Sequence, residues 1–434
     1  MHRFHFPGIN YSKKERRSVI LAVTIGNFLE WYEIYLYVYW APIIAKLFFD
    51  HSNSELVNST NAFLLFALGF LARPLGGLYF GRLGDRIGRK KALVLSILMM
   101  IFPTFMTGLL PTYAQIGVFA SIILGFMRVL QAFPAGGELP GAICYLYESS
   151  KLPNRRYISS YASLGYQLGI IVSTAECYFL EKYLSPEALI SWGWRLSFIV
   201  GGLLGCFGFY LRYKLHETPL FKEMETHEKV VKESIPQVLN KYKKGIFLGI
   251  LFCALNSASF YLLTVHFPVY FGKILGVNYV DNLLITLGLL VLITVPLPFF
   301  GMAADKFNNK AMLLGCTVGA MFLLLPLYYA VHSSSIIFFT LIMVIFSLLF
   351  TCVSALLPYV LAYLFPTHVR FTCVGVSFNL ADAIIGGFTP ALVLFLLQRT
   401  GDQGSFCWYL VPFALLSTLG FFFMKEGKKA DEAS

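Results

Sequence analysis

Twelve apolar runs, each long enough to cross a bilayer, decide what this chain can fold into. A membrane-spanning helix needs about 20 residues to cover roughly 30 Å of hydrocarbon. The runs fall at about 18–48, 60–81, 92–110, 115–147, 157–180, 193–212, 245–271, 281–303, 311–331, 335–364, 371–397 and 405–424. The short alternating segments of an outer-membrane barrel are not seen. Of the 434 residues 57% are apolar and 13% charged, about half the charge of a soluble domain. A soluble enzyme, a disordered chain and a secreted disulfide scaffold are excluded. Cys144, Cys177, Cys206, Cys253, Cys316, Cys352, Cys373 and Cys407 are scattered without CxxC or Cys/His spacing. They read as small hydrophobes, and no metal site is expected. The polar, basic start MHRFHFPGINYSKKERR precedes an apolar run too long for a cleavable signal peptide.

Basic residues set the sidedness. If both ends lie on one side, the termini and even-numbered connections hold 27 of the 34 Lys and Arg. Among them are Lys13, Lys14, Arg16 and Arg17, the Arg82–Lys91 stretch, Arg155 and Arg156. The odd-numbered connections hold Lys46, Lys182, Lys273 and Arg399. Cytoplasmic loops carry the excess, so both termini are expected in the cytoplasm. The net charge of +11 is thus topological, with an anionic inner leaflet as its partner rather than nucleic acid.

One long polar break, 213–244, separates six runs from six and reads as a cytoplasmic linker with a surface helix. The expected division is a segment 1–17, a six-helix bundle 18–212, the linker, a second bundle 245–424 and a tail 425–434. The halves echo each other. GRLGDRIGRKK at 81–91 is matched by GMAADKFNNK at 301–310, and LYESSKLPNRR at 146–156 by AYLFPTHVR at 362–370. A same-orientation repeat is a known transporter plan, with the solute site between the halves near the midplane.

These residues resemble the major facilitator superfamily, and more closely its metabolite:proton symporter branch of proline/betaine, 2-oxoglutarate, citrate and shikimate carriers. GNFLEWYEIYLY at 26–37, GFLARPLGGLYFGRLGDRIGRKKAL at 69–93 and RVLQAFPAGGELPGA at 128–142 carry the resemblance. GWRLSF at 193–198, HETPLF at 216–221, FYLLTVHFPVYF at 260–271 and FPTHVRFTCVGVSFNLADAIIGGFTP at 365–390 continue it in order. Three features depart from the pattern. Glu33 stands where the branch has Asp. The second loop motif is degenerate at Asn308 and Asn309. About ten residues follow Met424, too few for the long coiled coil of osmosensory carriers, so sensing of that kind is not expected.

An ionised side chain at the bilayer centre costs at least about 2.5–3.5 kcal/mol, so each one asks for a reason. Glu30 and Glu33, three apart in the first span, share a helix face, and Asn27, Glu30 and Tyr37 form one stripe. Burial and a neighbouring carboxylate both favour a neutral carboxyl, which suits proton coupling; the bland alternative is a polar lock between helices. Arg73 and Arg128 can grip a carboxylate in two-point fashion, or pair internally, as Arg128 would with an acid of the first span. Glu138 is a coupling or pairing acid. Asp382, mid-span in NLADAIIGG where the branch has a small apolar residue, is a second proton site, a contact to a solute cation, an arginine partner, or a wet residue without a role. Asn379 lies on its face. Tyr32, Tyr35, Tyr37, Tyr261 and Tyr270 could line a cavity and stack on a cation. His266 reads as a packing histidine and Arg195 as an interfacial anchor.

The resemblance implies a cytoplasmic gate from Asp85, Arg86, Gly88 and Arg89, with Asp85 accepting from a helix end and Arg89 pairing with an acid across the halves; Glu148, at the end of the fourth span, is a candidate partner for Arg86 or Arg89. Positive-inside anchoring is the simpler source of some of these charges. Arg370, in the matching segment of the second half, is counted with the gate. No GxxxxGK[ST] occurs, so ATP is not expected. The expectation is an all-α integral membrane protein of 12 transmembrane helices in two six-helix bundles, the major facilitator fold. It would be a multi-pass, monomeric inner-membrane carrier importing a small carboxylate or zwitterion by proton symport. The proton gradient would be its energy source, with no cofactor. A uniporter or exporter of the sugar-porter or drug-efflux type, and a non-transporting membrane sensor, are the alternatives.

Overall fold

The computed structural model describes residues 13–50, 54–150, 153–227, 233–273, 276–333 and 335–424. The expected terminal segments, apart from residues 13–17, and the middle of the linker lie outside them. Among the described residues twelve long helical runs follow one another. The first six are α1 Lys13–Phe48, α2 Glu55–Ile87, α3 Arg89–Leu109, α4 Phe119–Glu148, α5 Arg155–Tyr183 and α6 Trp194–Tyr213. Next, α7 runs Ile235–Tyr261, widens into a π turn at Leu262–His266 and ends as Phe267–Lys273. Helix α8 is Tyr279–Thr294 with Leu297–Lys306, α9 is Asn309–His332 and α10 is Ile336–Leu364. Helix α11 is Arg370–Ala381, a π turn at Asp382–Gly386 and Thr389–Thr400, and α12 is Ser405–Phe423.

Each expected span is met by one of these runs, but α7 begins ten residues before its apolar stretch. Ser234 and Gln237 form a reciprocal capping box there, and proline stands at the start. Capping, not hydropathy, sets that boundary. Among the described residues, ten helical stretches are long and apolar enough to cross a membrane by length and composition. Helix α5, 29 residues long, is not among those found in the described residues. The small and polar residues that lower its hydropathy, such as Ser160, Ser163 and Gln167, pack against the last six helices.

Within the first six helices α2 packs on α4, α1 on α5 and α3 on α6; within the last six α9 packs on α12 and α7 on α11 and α12. Across the two sets α2 meets α11 and α5 meets α8 and α10. A side-chain carbon on Gly136 would run into the Arg73 carbonyl. That glycine lets α4 lie close to α2 at the level of the buried arginine.

Candidate functional site

The central site forms where α1, α2, α4 and α11 converge. Glu30 on α1 and Arg73 on α2 make an ion pair of 2.5 Å, with the glutamate side chain fully buried. The same guanidinium reaches Asp382 on α11 at 3.4 Å. The Tyr261 hydroxyl, from α7, donates to the same Asp382 oxygen at 3.1 Å. One cation is therefore shared by a carboxylate from each half. Its guanidinium carbon lies 5.3 Å from the Trp31 ring centre and 5.4 Å from that of Phe70, distances at which ring faces attract a cation.

A cavity with about 360 Å³ of non-atom space, its mouth included, is lined by Glu30, Glu33, Phe70, Arg73, Arg128 and Gln131, with apolar neighbours. Arg128 donates to Gln131 at 2.7 Å and sits 4.2 Å over the Tyr37 ring. The Gln131 amide reaches the Thr104 hydroxyl at 3.3 Å, and that hydroxyl lies on the Glu33 carboxylate. Two acids and two guanidiniums thus face one chamber. Arg73 makes the ion pair with an acid of α1, and Arg128 faces the other acid of α1, Glu33, across the same cavity. Glu30 Oε2 and Arg73 Nε are buried with no hydrogen-bond partner among the described residues, an arrangement that a polar solute or proton can complete.

Other expected site residues face elsewhere. Asn27 donates to the Ala162 carbonyl of α5 at 3.1 Å, so the stripe with Glu30 and Tyr37 is split between neighbours. Asn379 donates to the Gly136 carbonyl of α4 at 2.7 Å and ties the halves together. Glu138 is closed in a buried pair with Arg212 of α6, which also donates to the Ala22, Val23 and Leu93 carbonyls. His266 packs among Phe267, Tyr270 and Phe406. Arg195 holds the Gly108 and Leu110 carbonyls at 3.1 and 2.7 Å.

At the basic-loop end a second network closes the halves. Asp85, at the end of α2, accepts from the Phe371 and Thr372 amides at 3.1 and 2.9 Å and from the Thr372 hydroxyl at 2.7 Å. It caps the start of α11, where exposed N–H groups and the helix dipole favour an anion. Arg89 grips Glu148 in two-point fashion at 2.9 and 3.0 Å, and Arg370 reaches the same glutamate at 2.8 Å. Arg86 stays exposed, so Arg89 is the partner of Glu148; the acid expected across the halves from Arg89 lies in its own half, and Arg370 makes the crossing ion pair instead. Gly88 has φ 110°, which a side chain resists, and a carbon there would strike the Glu217 carboxylate. Glu217 accepts from the Arg89 and Lys90 amides at 3.0 and 3.1 Å. In the second half Asp305, at the end of α8, accepts from the Arg156 and Tyr157 amides at 3.1 and 3.2 Å and caps α5.

Sequence reasoning missed Arg212, Gln131, Thr104, Glu217 and Trp31. Arg212 ends an apolar run and reads as an anchor; Gln131 and Thr104 are uncharged and raise no flag in a hydropathy scan. Asp305 was visible through the repeat.

The family model of the Major Facilitator Superfamily matches residues 23–390. A Staphylococcus aureus (strain COL) protein, provisionally named a proline/betaine transporter, is 33% identical over 94% of this chain and 87% of its own length. The Citrate-proton symporter of Klebsiella pneumoniae is 32% identical over 90% of this chain and 87% of its own. The Proline/betaine transporter of Salmonella typhimurium is 29% identical over 94% and 83%. Among solved structures, the proton:xylose symporter XylE bound to 6-bromo-6-deoxy-D-glucose superposes with a TM-score of 0.82 at 16% identity, covering 97% of this chain and 98% of that one.

Proposed function

The chain belongs to the Major Facilitator Superfamily and is a multi-pass membrane transporter, and we propose that it imports a small carboxylate or zwitterionic metabolite together with a proton. The observation that carries this reading is Arg73, shared between Glu30 of one half and Asp382 of the other on the wall of a cavity that also holds Glu33 and Arg128. Relatives named for proline/betaine transport and for citrate–proton symport support it.

Protonating Glu30 would remove the charge that holds Arg73. The freed guanidinium could then take a solute carboxylate. Neutralising an acid also lowers the cost of moving the loaded centre through a low-dielectric interior. On this reading the two six-helix bundles rock about the central site, and the Asp85–Arg89–Glu148–Arg370 network holds the basic-loop end, which we place in the cytoplasm, shut. The chain would sit in the inner membrane with both termini cytoplasmic and work as a monomer. No cofactor is invoked beyond the proton gradient.

In proteoliposomes an inward-acid gradient is expected to drive accumulation that an uncoupler abolishes. Glu30→Gln or Glu33→Gln is expected to lower gradient-driven uptake tenfold or more, about 1.4 kcal/mol. Accumulation and pH dependence intact in both variants would remove the span-one acids from the mechanism. Transport indifferent to uncouplers would favour a facilitator.

A further inference from the structure

The central charges do not balance. Glu30 and Glu33 line the cavity with Arg73 and Arg128, and Asp382 lies behind its wall on the Arg73 guanidinium, so these five groups, fully ionised, carry one negative charge more than positive. The surplus falls on Asp382. Arg73 gives its short contact, 2.5 Å, to Glu30 and only a 3.4 Å contact to Asp382. Tyr261 and Arg73 both address Asp382 Oδ2, which leaves Oδ1 outside that bonding. The surroundings already accommodate a cation, because the guanidinium lies against the faces of Trp31 and Phe70. The Tyr261 ring stands 6.1 Å from Phe70, edge to face. A side-chain carbon on Gly386 would come within 2.5 Å of that ring, so glycine lets Tyr261 close on α11 beside Asp382.

We propose that Asp382 is a specificity-determining residue that holds the cationic nitrogen of a zwitterionic solute, the solute carboxylate taking Arg73 in its place. The solute then inserts into the Arg73–Asp382 pair and replaces one weak contact by two complementary ones. Its nitrogen meets Asp382 between aromatic walls, which suits an amino acid or an N-methylated derivative. A zwitterion adds no net charge, so a single proton brings the centre to neutrality. A dianion would leave two charges uncompensated beside the same proton. This inference rests on the transport reading above and narrows its solute class.

The test uses the full chain in proteoliposomes under an inward-acid gradient, with pairs of probes that differ only in the positive nitrogen. L-proline is set against cyclopentanecarboxylate, and N,N,N-trimethylglycine against 3,3-dimethylbutanoate. The wild type is expected to prefer at least one zwitterion over its isostere tenfold or more. Asp382→Asn is expected to bring the pair near parity by losing the zwitterion while isostere uptake is kept, which also shows that the variant folds. Tyr261→Phe, which keeps the ring and loses the hydroxyl, is expected to shift the ratio the same way by a smaller factor. Equal loss of both probes in Asp382→Asn, with Tyr261→Phe leaving the ratio unchanged, overturns the proposal, as does a preference that survives both changes. A wild type that carries isosteres or dicarboxylates but neither zwitterion overturns it too, and leaves proton-driven carboxylate import standing. Gradient-independent behaviour for every probe takes down both readings.

Discussion

Arg73 shows how one residue can matter more than its neighbours suggest. A lysine could neutralise Glu30, but a compact ammonium cannot present the planar fork that serves Glu30 and Asp382 together. Glu138 and Arg212 form the contrasting case. Their pair is fully buried, with the arginine also holding three backbone carbonyls. Removing one partner from such a pair leaves a charge with no counterpart and costs about 3–5 kcal/mol. Glu138→Gln is therefore expected to lower the melting temperature of the purified protein sharply. Glu33→Gln is expected to change transport far more than stability. A Glu138→Gln protein that melts like the wild type would return Glu138 to the list of coupling acids. The intramembrane charges were legible in the sequence because each breaks an apolar run. Their partners were not: Arg73 and Asp382 are 309 positions apart, and no periodicity links them.

Among the elements, the caps across the halves carry the argument. Asp85 of α2 caps α11 and Asp305 of α8 caps α5, so the repeat seen in the loops becomes a pair of equivalent helix-end contacts. The Arg89–Glu148–Arg370 cluster appears on the α2–α11 side; Asn309, at the position matching Arg89 in the repeat, cannot supply the charge. Asp85→Asn keeps an acceptor but loses the charge at the helix start, worth about 0.3–2 kcal/mol. The basic-loop end is expected to open several-fold more often, read as a longer distance between spin labels at the exposed Ile87 and Phe307. An unchanged distance distribution would make the cap a packing detail. Glu217, in the connection after α6, adds a pH-dependent part. Burial pushes its carboxyl above the ordinary range, opposed by the Thr218 and Lys90 amides and the Arg89 charge. A carboxyl raised on folding stabilises the fold below its unfolded value, and that contribution fades as pH climbs through the folded value. Glu217→Gln is thus expected to hold the closed end at neutral pH as well as the wild type. Glu217→Ala, which uncaps Arg89 and Lys90, is expected to cost about 1 kcal/mol in thermal unfolding. Loop motifs were readable because glycine and charge recur at fixed spacing. The early start of α7 was not, since a capping box outside the apolar run determines it.

At the scale of the molecule, twelve apolar runs and a divided charge map were enough to predict the fold. Hydrocarbon leaves a long chain few ways to satisfy its backbone. The site was only partly legible, because a chamber between helices depends on which faces meet. The same hydropathy pattern would serve a facilitator, an exporter or a symporter. Separating them falls to the buried acids, whose presence in oil the account explains by a proton that travels with the solute. The direct test is proton flux in lightly buffered proteoliposomes with no gradient imposed and a pH dye inside. Adding a transported zwitterion outside is expected to acidify the lumen in step with solute entry, and Glu30→Gln or Glu33→Gln to break that link. Solute entering at an undiminished rate while the lumen holds its pH would contradict the account.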